Sequence, residues 1–263
     1  MEKHAWLFRG TNKVQGRKTF IDKDNTGLEF LRYGRIVLNQ GELTVPTGEE
    51  EIAFVCLNGS GTIQVDGKSY SLAKFDSLYV PRDRQVTITA SGSFDLAEVG
   101  APATREYPVQ FISFQENVLK EPGLVKEAGF PPYARKIHTL VGENNVQCSR
   151  LLIGATFSGD GGWTSWPPHD HHKEKEEIYL YIDMPEPNFS LHLNYNDFRD
   201  MEMVVPVFEG DAVAIKKGYH YNVATPGTQT GFLWMMAATE EEDRVFTQVT
   251  VQPEFAGDRF KLF

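Results

Sequence analysis

The stretch Trp166 to Pro185, WPPHDHHKEKEEIYLYIDMP, gathers side chains that bind metals and move protons. His169 and His171 stand two residues apart, so on an extended chain both imidazoles point to one side, with His172 opposite. Along the same run Glu177, Tyr179 and Tyr181 share a face, while Ile178 and Leu180 take the other. His220 comes from far downstream, in GDAVAIKKGYHYNV, just after a glycine turn. Two imidazoles, one carboxylate and a remote third imidazole suit Zn²⁺, Fe²⁺, Mn²⁺ or Ni²⁺, with positions left open for water or substrate. Counting on from His171 makes the carboxylate Glu176, whereas aligning on the strand EIYLY makes it Glu177. Of the other histidines, His192 in SLHLNYN reads as a barrel-lining residue, and His4 and His138 as structural or surface ones.

Holding such residues together calls for strands, and helix signals are sparse. The windows Gly61 to Leu72, Arg84 to Val99 and Arg244 to Gln252 alternate apolar and polar residues, the period of a half-buried strand. Turn chemistry separates them at NGSG (Asn58 to Gly61), VDGK (Val65 to Lys68) and ATPGTQTG (Ala224 to Gly231). Many short strands at close spacing predict an all-β sandwich or barrel. A short helix fits near Gln115 to Ala128, interrupted by EPG.

An internal repeat organises the chain. FDSLYVPRDRQVTITA (Phe75 to Ala90) overlays GDAVAIKKGYHYNVAT (Gly210 to Thr225) without a gap, and EEEIAFV (Glu49 to Val55) overlays KEEIYLY (Lys175 to Tyr181). Two copies of one β unit follow, joined around Glu106 to Gly129, where Pro and Gly accumulate. In this overlay Gln85 takes the place of His220, and ELTVPTGEE before Glu51 has no histidine opposite His169 and His171. A metal site in the second copy therefore has no counterpart in the first.

Bulk properties exclude several partners. The 263 residues carry a net charge of −10, with no Lys/Arg run dense enough to track a phosphate backbone, so nucleic acid is not expected. The start, MEKHAWLFRG, lacks the apolar core of a signal peptide, and no apolar run is long enough to span a bilayer. A cytoplasmic protein without a membrane partner is the expectation. Cys56 and Cys148, each far from any second cysteine, read as buried free thiols.

The segments HDHHKEKEE and GDAVAIKKGYH resemble, in residue type and order, the two motifs of the cupin superfamily, with Lys216 standing where a proline is common. More finely, SRLLIGATFSGDGGWTSWPPHDHH, EEIYLY, EGDAVAIKKGYHYNVATPG and WMMAA are similar to the 5-deoxy-glucuronate isomerases of inositol catabolism. That family is related to the 5-keto-4-deoxyuronate isomerases of pectin breakdown. GLEFLRYGRIVLNQGELTV, VCLNGSGTIQVDG and SLYVPRDRQVTITA extend the likeness over the first half. Three features depart from the inositol enzymes: the short spacing between the HxH pair and the acid, nearer the pectin enzymes, Ala155 where an acid is common, and TEEEDRVF after WMMAA in place of the family's usual tail.

The resemblance implies two tandem cupin (double-stranded β-helix, jelly-roll) barrels. Residues 1–115 form the metal-free barrel and residues 116–263 the metal-bearing one. It implies His169, His171, Glu177 and His220 as ligands of a divalent metal, zinc foremost, with manganese, iron or nickel as alternatives. Glu176 then faces away or braces a ligand. The activity implied is aldose–ketose isomerisation of a deoxy-uronate, 5-deoxy-glucuronate to 2-deoxy-5-keto-gluconate, through proton transfer between adjacent carbons beside the metal. Glu176 and Tyr181 are the catalytic candidates. Arg150, Tyr179 and Lys217 are the candidates for binding a small sugar acid, since a guanidinium or ammonium matches its carboxylate. Rival readings are the 5-keto-4-deoxyuronate reaction, cupin dioxygenase chemistry and a non-catalytic sugar-acid-binding cupin. A homo-oligomer is the default for cupins, which often associate through strand edges.

Overall fold

The computed structural model describes residues 6–171, 173–257 and 260; His4 and His172 lie outside the described residues. Its strands form sheets of six, four, seven and five strands. Residues 16–112 build the six- and four-stranded sheets. Leu7–Phe8 together with residues 125–251 build the seven- and five-stranded sheets. Each pair of sheets closes into a β-barrel, the two-barrel all-β fold that the resemblance implied. No helix among the described residues is long and apolar enough to cross a membrane.

Strand period decides what each barrel contains. In Glu50–Gly59 the side chains of Ile52, Phe54 and Cys56 enter the first barrel, against Val45, Val86 and Ile88. Their neighbours Ala53, Val55 and Leu57 turn outward and pack with Ile178, Leu180, Leu151 and Ile153 of the second half. Because both faces of these strands are buried, they read as unbroken apolar runs. The larger sheets thus share one core, and the two halves hold each other back to back.

Two carboxylates reinforce that joint reciprocally. Glu51, fully buried, accepts the backbone N–H groups of Ser149, Arg150 and Leu151 and the hydroxyl of Tyr79. Glu176 accepts the backbone N–H groups of Glu29, Phe30 and Leu31. Each half therefore caps the start of a strand in the other.

This symmetry corrects the gapless repeat by one residue. Ile52 pairs with Val80, and Glu177 pairs with Ile215, the residue that overlays Val80. Ile52 therefore occupies the position of Glu177, and Glu51 matches Glu176. Val45 likewise faces Val86 across a strand pair, as His169 faces His220. Val86, rather than the exposed Gln85, takes the imidazole's inward place. A one-residue slip exchanges the two faces of a strand, which is why residue-type matching misplaced the equivalence. Where the second barrel carries an acid and imidazoles, the first carries aliphatic side chains.

Two local expectations change. Of the alternating window Arg244 to Gln252 only Thr250–Val251 is a strand; Arg244 instead donates to the carbonyls of Leu151 and Gly142, drawing the chain across the barrel end. The expected helix near Gln115 shrinks to one π-type turn, Phe114–Val118, before the strand Val125–Ala128. Cys56 and Cys148 are buried and free.

Replacing Glu51 with Gln puts an amide NH₂ against backbone donors. Loss of charge-assisted hydrogen bonds is expected to lower unfolding stability by about 1–3 kcal/mol in denaturant titration, with metal content unchanged. An unaltered midpoint would show that this carboxylate does not hold the halves together.

Candidate metal centre

The donors come from opposed sheets. The strand Trp163–Asp170 of the five-stranded sheet carries His169, and His171 follows directly after it. The chain turns at Lys173 and Glu174 and enters the seven-stranded sheet as Lys175–Tyr181, bringing Glu177. The continuous extended run read from His169 to Tyr181 is thus broken by a turn. Imidazoles and carboxylate meet across the barrel rather than along one strand. His220, on Tyr219–Ala224, pairs directly with His169.

Local backbone geometry aims the rings. The register is irregular between Thr164 and His169, and Ser165 adopts a φ of 55°, a left-handed conformation uncommon for a residue with a side chain. That kink brings the carbonyl of Ser165 within 3.2 Å of His169 Nδ1, which also lies 3.2 Å from the carbonyl of Pro167. His220 Nδ1 lies 3.1 Å from the carbonyl of Gly218. Carbonyls only accept, so Nδ1 carries the proton in both rings and Nε2 keeps its lone pair.

These lone pairs converge. One donor atom from each of His169, His171 and His220 lies within 4.8 Å of the others, and all three residues are buried. Glu177 Oε2 is 3.1 Å from His171 Nε2 and 2.9 Å from His220 Nε2. None of these three atoms has a partner in hydrogen-bond geometry, although all are buried. Buried polar atoms without partners are rare in native proteins, and a divalent ion satisfies this set of lone pairs at once. The residues fit such an ion.

Electrostatics agree. Burial pushes the Glu177 carboxyl upward, but the imidazoles of His171 and His220 outweigh it and hold the group well below the ordinary carboxylate range. Burial, reinforced by its two neighbouring imidazoles, holds His169 far below the usual imidazole value, which keeps it neutral and ready to ligate. For His220 burial is opposed and exceeded by the charge of Glu177, so its value rises.

A cavity opens on this cluster. His169, His171 and Glu177 line one part of it, with Tyr179, Ser165 and Thr156; Ile137, Phe232, Trp234, Met236 and Phe246 form apolar walls, and Arg135 completes the lining. Tyr179 Oη and Ser165 Oγ are 2.7 Å apart, and Trp234 Nε1 donates to Thr156 Oγ1 at 3.1 Å. Burial, then the charge of Glu177, pushes the Tyr179 phenol well above its usual value.

The structure brings together His169, His171, Glu177, His220 and Tyr179, and separates the other candidates from them. Glu176 faces the first half, its carboxylate occupied by the backbone of Glu29 to Leu31, because it alternates with Glu177. Arg150 spends its guanidinium on the carbonyls of Pro102, Ala238 and Thr239 at the joint between the halves. Lys217 is exposed in the turn before His220. Tyr181 lies deeper in the barrel, its hydroxyl 2.7 Å from His192 Nδ1, and does not line the cavity. His192 is wholly buried, and burial, followed by the charge of His220, pushes its imidazole down to about 3. Arg135 went unnoticed in the sequence. Its signal was a cation in phase with Ile137 on the inward face of the strand Arg135–Val141.

Paired jelly-roll barrels with a three-histidine, one-glutamate cluster inside the second define a bicupin with one candidate metal centre among the described residues. Residues 6–254 match the KduI/IolB family, and the chain belongs to it. A relative from Geobacillus thermodenitrificans named 5-deoxy-glucuronate isomerase is 27% identical over 241 residues, 85% of each chain. The crystal structure of an IolB-like protein from Salmonella typhimurium LT2 superposes with a TM-score of 0.82 at 25% identity, covering 95% of this chain and 98% of the other. Bacillus subtilis oxalate decarboxylase, described with Mn(II) centres, shares the fold at 9% identity, with a TM-score of 0.62 over 92% of this chain and 78% of its own.

The two adjacent acids are separable by experiment. Glu177→Gln is expected to weaken zinc binding by more than the roughly 10–100-fold typical of an outer partner, while Glu176→Gln keeps stoichiometric metal. Metal analysis after dialysis against a competing chelator reads both, and the opposite pattern would reassign the ligand. Metal retention should also fall as pH drops and protons compete for the imidazoles.

Proposed function

We propose that the protein is a metal-dependent aldose–ketose isomerase acting on a deoxy-uronate, converting 5-deoxy-glucuronate to 2-deoxy-5-keto-gluconate in inositol catabolism. The carrying observation is the buried cluster of His169, His171, His220 and Glu177 opening on a cavity whose polar groups suit a sugar. Membership of the KduI/IolB family and the name borne by the curated relatives support the same reading. In it, residues 116–263 carry the metal and residues 1–115 supply the metal-free barrel, apart from Leu7–Phe8, which extends the seven-stranded sheet of the second.

His169, His171, Glu177 and His220 would hold a divalent ion, zinc foremost, whose Lewis acidity would polarise a sugar carbonyl and make the adjacent C–H more acidic. The chain's own groups orient the sugar. Tyr179, kept neutral by burial and by Glu177, keeps its proton at Oη and offers it as a hydrogen bond to a sugar oxygen, with Ser165 Oγ at 2.7 Å to steer the phenol. The walls of Phe232, Trp234, Met236 and Phe246 exclude water from the reacting carbons. Glu176, outside the cavity, has a bracing role between the halves rather than a proton-transfer role.

The metal-loaded protein is expected to convert 5-deoxy-glucuronate to the ketose, followed by NMR. Tyr179→Phe should reduce kcat by about 10²-fold or more at unchanged metal content. Metal-replete protein without turnover on this substrate would remove the assignment. Turnover of 5-keto-4-deoxyuronate instead would move it to the related reaction.

A further inference from the structure

We infer that Arg135 binds the carboxylate of the sugar acid, at the end of the cavity remote from the metal cluster; the inference rests on the isomerase reading and names the group that makes it selective for acids. A uronate brings a negative charge into a site walled by apolar side chains, and that charge needs a fixed cation. Arg150 and Lys217, the cations favoured by sequence, lie outside the cavity. Among the described residues lining it, Arg135 is the one Arg or Lys.

Arg135 is built for such a task. It is buried, on a strand paired on both sides, with Ala128 and Ser158 as its partners, so its backbone is held firmly. Its Nη1 donates to the carbonyl of Tyr133 at 3.2 Å, which orients the planar guanidinium. A guanidinium presents parallel N–H donors that match the two oxygens of a carboxylate. Burial is the largest influence on it and pushes its pKa down to about 10, so the cation persists at neutral pH in a poorly solvated place. There an incoming carboxylate gains more than it would in water.

Placement also specifies the ligand's shape. Two strands, Leu151–Ser158 and Gly231–Ala238, lie between the strand of Arg135 and that of Glu177. At ordinary strand spacing the two backbones are about 14 Å apart, with Phe232 and Trp234 on the floor between them. A ligand reaching both the metal cluster and the guanidinium carries its carbonyl and its acid at opposite ends. An open-chain uronate has that arrangement.

Gluconate and sorbitol, open chains of equal length with and without the acid, are suitable probes. Their binding to the metal-loaded protein can be read by calorimetry and by the fluorescence of Trp234 in the cavity wall. Wild type is expected to prefer gluconate by at least about tenfold, and Arg135→Gln to bind the two alike. For 5-deoxy-glucuronate, kcat/KM should fall about a hundredfold in Arg135→Gln while metal content and melting temperature hold. If Arg135→Gln does not fold, Arg135→Lys carries the test, with an intermediate preference expected because the charge remains but the fork is gone. Retention of the full acid preference in a folded variant overturns the inference and assigns the carboxylate to the metal; a wild type that binds both probes equally overturns it as well, because no group then reads the acid. Failure of the isomerase reading appears separately, as absent turnover in wild type with its acid preference intact.

Discussion

A carboxylate withdrawn from water is the constraint from which the rest of this structure follows. Glu177 lies inside the second barrel with 1% of its surface exposed, and an isolated charge there would cost many kcal/mol. The cost is offset by the imidazoles of His171 and His220, and carbonyl groups of Ser165, Pro167 and Gly218 take up the other nitrogens of His169 and His220. The kink at Ser165 and the register of His169 with His220 serve this one cluster. Its outstanding negative charge and lone pairs make the cluster a candidate centre for a divalent cation.

The same strand that supplies Glu177 also joins the two halves. Alternation sends Glu177, Tyr179 and Tyr181 inward, and Ile178 and Leu180 into the shared core, while Glu176 grips the backbone of the first half. The first barrel uses the matching strand in the same two-faced way, with Glu51 gripping the second half and Ile52 filling the interior. One face of the repeat has kept its structural role in both copies. The other face holds an acid in one barrel and an aliphatic side chain in the other. The candidate site and the candidate scaffold thus differ by a handful of inward side chains, on a common frame.

Much of this was legible from residue types. Period-two alternation and turn chemistry implied strands, the repeat implied two barrels, and His169, His171 and His220 stood out because histidines are few and the spacing was suggestive. What misled the reading was facing and partners brought from remote segments. Glu176 and Glu177 are chemically identical neighbours, and only strand register assigns one to the cavity and the other to the joint. Arg150 looked available for a substrate acid, yet it binds carbonyls brought from remote segments. Arg135 was passed over because its phase with Ile137 marks it as inward only once that face of the strand is known to look into the barrel. Arg244 to Gln252 alternates as a strand does, but side-chain anchoring to Leu151 and Gly142 draws it across the barrel instead.

The sequence by itself determined the class of fold and the chemical repertoire, because alternation, turn residues and ligand types are local properties that a chain carries in linear order. The tertiary structure decided which acid joins the imidazoles, which tyrosine meets the cavity and which cation shares it. Those are questions of which face of a strand looks inward and what lies across from it. A shift of one residue reverses the first, and the second depends on segments separated by as many as 147 positions in the chain.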